Sequence, residues 1–121
     1  MSYIDGFVVP VPEDNQQAYL EMARKAAKVF IKHGANRVVE AWDDDLTPGK
    51  INDFRTAVLA EESEKIVFSW LEWPSKEARN EGMQKAMVDP DMPPSDNLPF
   101  TGKHLIWGGF TTILDSNNRG K

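Results

Sequence analysis

The sequence predicts an α+β fold, a ferredoxin-like β-α-β-β-α-β plait with antiparallel sheet order 4-1-3-2. Three observations lead there. Two stretches of helical periodicity alternate with four β-rich runs in that order. The chain has 121 residues, the size of one domain. The strand runs are apolar on both faces, whereas a sheet with helices on one side and water on the other should alternate.

Tyr3–Pro10 reads as the first strand; Phe7, Val8 and Val9 are β-formers, and Pro10 and Pro12 end the run. In the first helix Asp14 stands where a cap belongs, and Gln17 three residues on completes a capping-box pattern. Tyr19, Met22, Ala23, Ala26, Val29, Phe30 and His33 recur at steps of three and four and so share one face. Gly34 supplies the stop. Asn36–Trp42 is the second strand, broken by Asp43, Asp44 and Asp45 and followed by a turn at Thr47-Pro48-Gly49-Lys50. Phe54–Ala60 fits a strand stub or one helical turn, and Glu61–Glu64 a hairpin tip.

Lys65–Trp73 is the clearest strand. Ser75 then caps a second helix, with Glu77 at the positive end of its dipole and a narrow apolar stripe of Ala78, Gly82, Met83, Ala86 and Met87. Asp89-Pro90 ends it, and residues 89–102, with four prolines and no periodicity, form a loop. Lys103–Leu114 is the last strand. The domain is therefore 1–114, and the polar tail 115–121 is expected to fray.

The two-faced strands carry a further expectation. Ile66, Phe68 and Trp70 point opposite to Val67, Leu71 and Trp73; Leu105, Trp107 and Ile113 oppose Ile106, Phe110 and Leu114. Two helices cover one face only. A second copy is the simplest cover for the other, giving a homodimer with sheets face to face, a dimeric α/β barrel.

Composition excludes several chemistries. There are no cysteines, which removes disulfides, thiolate metal sites, iron–sulfur clusters and cysteine nucleophiles. With two separated histidines as well, no metal is expected. Net charge is −5 and pI about 5.0, which argues against nucleic acid. An RNA-binding plait shares the element order, but Ser69 and Glu72 stand on the third strand where such a sheet needs aromatics beside lysine or arginine. The first residues lack a basic n-region, and no apolar stretch approaches ~20 residues, so neither a signal peptide nor a membrane partner is expected, and a cytoplasmic setting is. Gly102-Lys103-His104 and Gly49-Lys50-Ile51 lack the rest of a phosphate loop, and Ser69 lacks the glycines of a nucleophile elbow.

Asp5 is the leading candidate side chain. A carboxylate in the middle of a central strand is costly unless paired, so it is an ion-pair member or a pocket carboxylate, with Arg37, Arg55 and His104 as possible partners. His104, beside the proline-rich loop, is the candidate general base. His33, at the helix end, suits the dipole. Trp42, Trp70, Trp73 and Trp107 serve packing or an aromatic-lined pocket; Trp70, Trp107 and Arg55 are the pocket candidates. Gly6, Gly108 and Gly109 mark bulges or close approaches.

The opening Tyr3-Ile4-Asp5-Gly6-Phe7-Val8-Val9-Pro10-Val11-Pro12 resembles that of the bacterial YbaA family, a family of unknown function. Val67-Phe68-Ser69-Trp70, Pro74-Ser75, Met87 with Asp89-Pro90, Pro99-Phe100, Gly102-Lys103 and Gly108-Gly109-Phe110 follow in the family's order, over residues 2–114. The resemblance implies a dimeric α/β-barrel, ferredoxin-like fold and no established activity. The sequence differs from the family pattern at Asp91, Thr101, His104 and Trp107, so shared roles do not carry over there. The expected function is a small-molecule-binding protein or cofactor-free enzyme of the dimeric-barrel type. The alternative is a non-catalytic dimeric binding or accessory module.

Overall fold

The structure is a computed structural model that describes residues 2–100 and 102–117. Its elements are β1 (Tyr3–Pro12), a 3₁₀ turn (Glu13–Asn15), α1 (Gln16–Lys32), β2 (Arg37–Trp42), α2 (Phe54–Ala57), β3 (Glu64–Trp73), α3 (Lys76–Met87) and β4 (Ile106–Thr111). The strands pair antiparallel in one sheet ordered β2-β3-β1-β4, the expected 4-1-3-2 order read from the other edge.

Several boundaries moved for local reasons. β1 runs on through Pro10 and Pro12 because β4 pairs only as far as Val8. Beyond Val8, β1 has a neighbour on one side only, where a missing N–H is tolerated. Asp14 does not cap α1; the chain makes a 3₁₀ turn there, and Asn15 at the cap position has no side-chain capping bond. β4 is shorter than the expected Lys103–Leu114. No bulge interrupts β1 or β4 at Gly6, Gly108 or Gly109, since the register is continuous from Tyr3↔Thr111 to Val8↔Ile106. Phe54–Ala57 is one helical turn, held by a reciprocal capping box between Asp53 and Thr56. Ser75 caps α3 as expected, accepting from the Ala78 amide at 3.0 Å. Gly34 leaves α1 at φ +112°, a conformation that favours glycine. Residues 118–121, the end of the tail expected to fray, lie outside the described residues.

The register assigns the two faces. Tyr3, Asp5, Phe7, Val9 and Val11 share a face with Val67, Ser69, Leu71 and Trp73. All of these except Phe7 are buried, under Tyr19, Ala23 and Val29 of α1 and Gly82 and Ala86 of α3. α3 approaches closely because residue 82 is glycine: a Cβ there would collide with the Trp73 ring and the His33 carbonyl oxygen. The C-terminal ends of the two helices are clasped by Asp89. Its carboxylate receives Lys32 Nζ at 2.8 Å, His33 Nε2 at 2.8 Å and the Asp91 amide at 2.8 Å. His33 is thus a half-buried structural residue.

The opposite face is covered at the Pro10 and Ile66 end and open elsewhere. Phe68, Ile106 and Phe110 lie there 46–61% exposed. Gly6 and Gly108 leave a groove of about 210 Å³ beside Val8, Ile106 and Phe110. The long β2–β3 connection reaches this face, where Phe54 of α2 meets Phe68 edge-on at 5.9 Å.

Candidate functional site

The expected site residues do not converge. Asp5 is completely buried, and its partner comes from α3: Arg79 Nε donates to Oδ1 at 3.1 Å and Oδ2 at 3.3 Å, and Trp73 Nε1 donates to Oδ2 at 3.0 Å. Arg37, Arg55 and His104 are not its partners. The Arg79 guanidinium also lies 4.9 Å above the Tyr3 ring. Gly109, opposite Asp5, makes room for this arrangement, since a Cβ at 109 would collide with Tyr3 and Arg79. Asp5 is therefore part of a closed ion-pair cluster.

Arg55, a pocket candidate, is engaged by backbone. It donates to the Glu64 carbonyl at 2.7 Å and the Glu61 carbonyl at 2.6 Å, bracing the turn before β3. Trp70 and Trp107 lie on opposite faces, because Trp70 is paired with Gly6 and Trp107 with Phe7. Trp70 points to the open face and donates to Glu72 Oε2 at 2.8 Å. Arg37 approaches that carboxylate at 3.6 Å. His104 is half-buried in the turn before β4, apart from the Asp5 cluster.

A different constellation occupies the helix face. The register aligns Glu40 of β2 with Ser69 of β3, Ser69 with Phe7 of β1, and Phe7 with Trp107 of β4. One transverse row thus carries a carboxyl, a hydroxyl and two aromatic rings. Strands lie ~4.8 Å apart, so the row spans about 14 Å. Tyr19 of α1 donates its phenol to Glu40 Oε1 at 2.7 Å. The buried Ser69 also hydrogen-bonds Glu40.

The electrostatics of this row are distinct. Glu40 is an exposed residue by area, but its carboxyl turns inward to Tyr19 and Ser69. Desolvation pushes that carboxyl above its ordinary value, and the bonds from Tyr19 and Ser69 oppose the rise. Burial, then the charge and hydrogen bond of Glu40, push the Tyr19 phenol far up, so Tyr19 remains protonated and is the donor.

At the other end, Trp107 stacks on Phe7 with centroids 6.2 Å apart and planes 18° from parallel. It is 62% exposed although it lies on the helix face, so the two helices leave the β4 end uncovered. The loop before β4 borders the opening. Asn15 Nδ2 donates to the Pro99 carbonyl at 3.0 Å, and Phe100 meets Tyr19 edge-on at 5.9 Å. Among the described residues no group of three or more histidine, aspartate or glutamate side chains is arranged to hold a metal.

Sequence reasoning placed Tyr19 on the buried helix face and Trp107 among pocket candidates. It missed the row because only the register brings Glu40 and Ser69 onto one line with Phe7.

Residues 2–102 match the family described as a protein of unknown function, DUF1428. The uncharacterized protein YbaA of Escherichia coli K12 is 54% identical over 116 residues, covering 95% of this chain and 99% of that protein. The YbaA of Shigella flexneri matches equally. The chain belongs to the YbaA family of unknown function. The family's motifs fall at positions with different structural duties. Asp5 in the opening motif is an ion-pair member, Ser69 lies in the polar row, and Gly109 admits Arg79. The fold is similar to a crystal structure of SnoaB, a cofactor-independent oxygenase from Streptomyces nogalater. The TM-score is 0.58 at 14% identity, covering 97% of this chain and 98% of that chain. The sheet and helices are those of the dimeric α/β-barrel fold.

Proposed function

We propose that this protein binds a small organic molecule on the helix face of its sheet, and acts as a cofactor-free enzyme of the dimeric α/β-barrel type. The observation that carries this reading is the Glu40–Ser69–Phe7–Trp107 row. Ligand sites are concave and largely apolar, with a few placed polar groups. Here a partly uncovered aromatic pair lies in line with an inward-turned carboxyl whose protonation is perturbed, a recurrent property of functional groups. The likeness to a cofactor-independent oxygenase is compatible with this reading and adds no residue to it.

Thermal melts with a panel of planar aromatic compounds test the site. A binder should raise Tm for the parent and for Trp70→Ala, and not for Trp107→Ala. The reverse pattern would move the site to the open face. No stabilisation by any compound would favour the non-catalytic module.

The open face, in this reading, is covered by a second copy. Phe68, Ile106 and Phe110 stand 46–61% exposed there, an exposed apolar patch of the kind that marks an interface. Its charged pair, Arg37 with Glu72, is mutually neutralised, so two copies meet without net repulsion there.

A further inference from the structure

We infer that the groove between α1 and the loop of residues 89–99 binds a free medium-chain carboxylate, a single negative head group on an apolar chain. This groove shares no residue with the row on the sheet.

The groove is preformed. The loop is tied to α1 at both ends. At the C-terminal end of the helix, the Asp89 carboxylate holds Lys32 and His33. At the N-terminal end, Asn15 donates to the Pro99 carbonyl and Phe100 meets Tyr19. Between these ties, Pro90, Pro93 and Pro94 fix their φ angles and stiffen the chain. Two hollows of about 320 and 440 Å³ remain, with Lys25 on the wall of both, in the size range of small-molecule sites. The α1 residues that line them recur at steps of three and four from Ala18 to Lys32, so they share one face. The groove therefore follows the helix for about 21 Å.

Its walls suit hydrocarbon. Met22 and Val29 line it from the helix, and Pro93, Pro94, Leu98 and Pro99 from the loop. The aliphatic stems of the lysines extend that surface while their ammonium groups stay in water.

Its charges are divided between the two ends. One end carries Lys25, Lys28 and Lys32 with Asp91. Lys32 is bound to Asp89 and lies in the field of Asp91. Among the described residues, neither Lys25 nor Lys28 takes part in an ion pair. Three cations against two carboxylates leave a surplus of one positive charge, which a carboxylate matches and a phosphate monoester, at about −1.5 to −2, exceeds. The other end carries Glu21 and Asp96, with Glu21 about 10 Å from Lys28 along the helix. An acid group at the far end of the ligand would meet like charge there, so the groove selects one acid head and an uncharged tail.

Calorimetry at neutral pH and low salt tests this with decanoate, decanol and decanedioate, each below its aggregation limit. The parent should bind decanoate roughly fivefold or more tightly than either of the others, the scale of a solvent-exposed ion pair. That preference over decanol should fade at high salt. The double variant Lys25→Glu with Lys28→Glu should bind decanol at least as tightly as decanoate. The double variant Glu21→Gln with Asp96→Asn should bring decanedioate close to decanoate. All four side chains are exposed, so both variants keep the fold; if either does not, the order of the probes on the parent and its salt dependence carry the test. Binding of no probe, equal binding of decanoate and decanol by the parent, or a decanoate preference that survives the lysine reversal overturns the inference. The last result would place the carboxylate elsewhere, away from α1.

Discussion

Asp5 shows how a buried charge is tolerated. It is fully enclosed, and its two oxygens are occupied by Arg79 and Trp73. Removing one partner of such a pair leaves the other charge uncompensated. Asp5→Asn should therefore cost about 3 kcal/mol in urea melts; a change within ~1 kcal/mol would mean that Arg79 readily finds water. That Asp5 needed a partner was legible from its place in a central strand. That the partner is Arg79 was not, because nothing local specifies which turn of α3 overlies β1. Asp89 makes a pH prediction. Lys32 first, then the Asp91 amide and His33, hold its carboxyl well below the ordinary value. A depressed carboxyl contributes stability above its unfolded value, near ~4, and that contribution fades as pH falls through the folded value. Tm measured against pH should show the parent exceeding Asp89→Asn at neutral pH, with the gap closing in strong acid.

Among the elements, the α1–α3 contact depends on Gly82. Alanine is the better helix former by ~1 kcal/mol, yet the added methyl would strike Trp73 and the His33 carbonyl. Overpacking should win, so Gly82→Ala should destabilise by about 2 kcal/mol in denaturant melts. A stabilised variant would show that α3 can shift outward freely. Helices and strands were legible because their signals are local: the three–four spacing from Tyr19 to Val29, Ser75 as a cap, the β-formers of β3. The misread features were long-range. Pro10 and Pro12 ended β1 in the sequence reading because the length of β4 was not visible. Of the two readings of the glycines, bulge or close approach, Gly109 shows the second, and the side chains that approach it come from distant Tyr3 and Arg79.

For the whole molecule, the apolar open face was legible from two-faced strands, and its occupant is the second copy proposed above. Sedimentation at micromolar concentration should give about twice the 13.7 kDa chain mass. Phe110→Glu, which charges the glycine groove, should give the chain mass with the fold retained. A stable parent monomer would contradict the dimer. The row on the other face was not legible, because it needs four strands placed in register at once. That row is the proposed ligand site. A crystal structure with the planar aromatic compound that raises Tm most tests it most directly. The ring should lie against Trp107 at the β4 end of the row. A ring seated on the open face, beside Trp70 and Phe68, would contradict it.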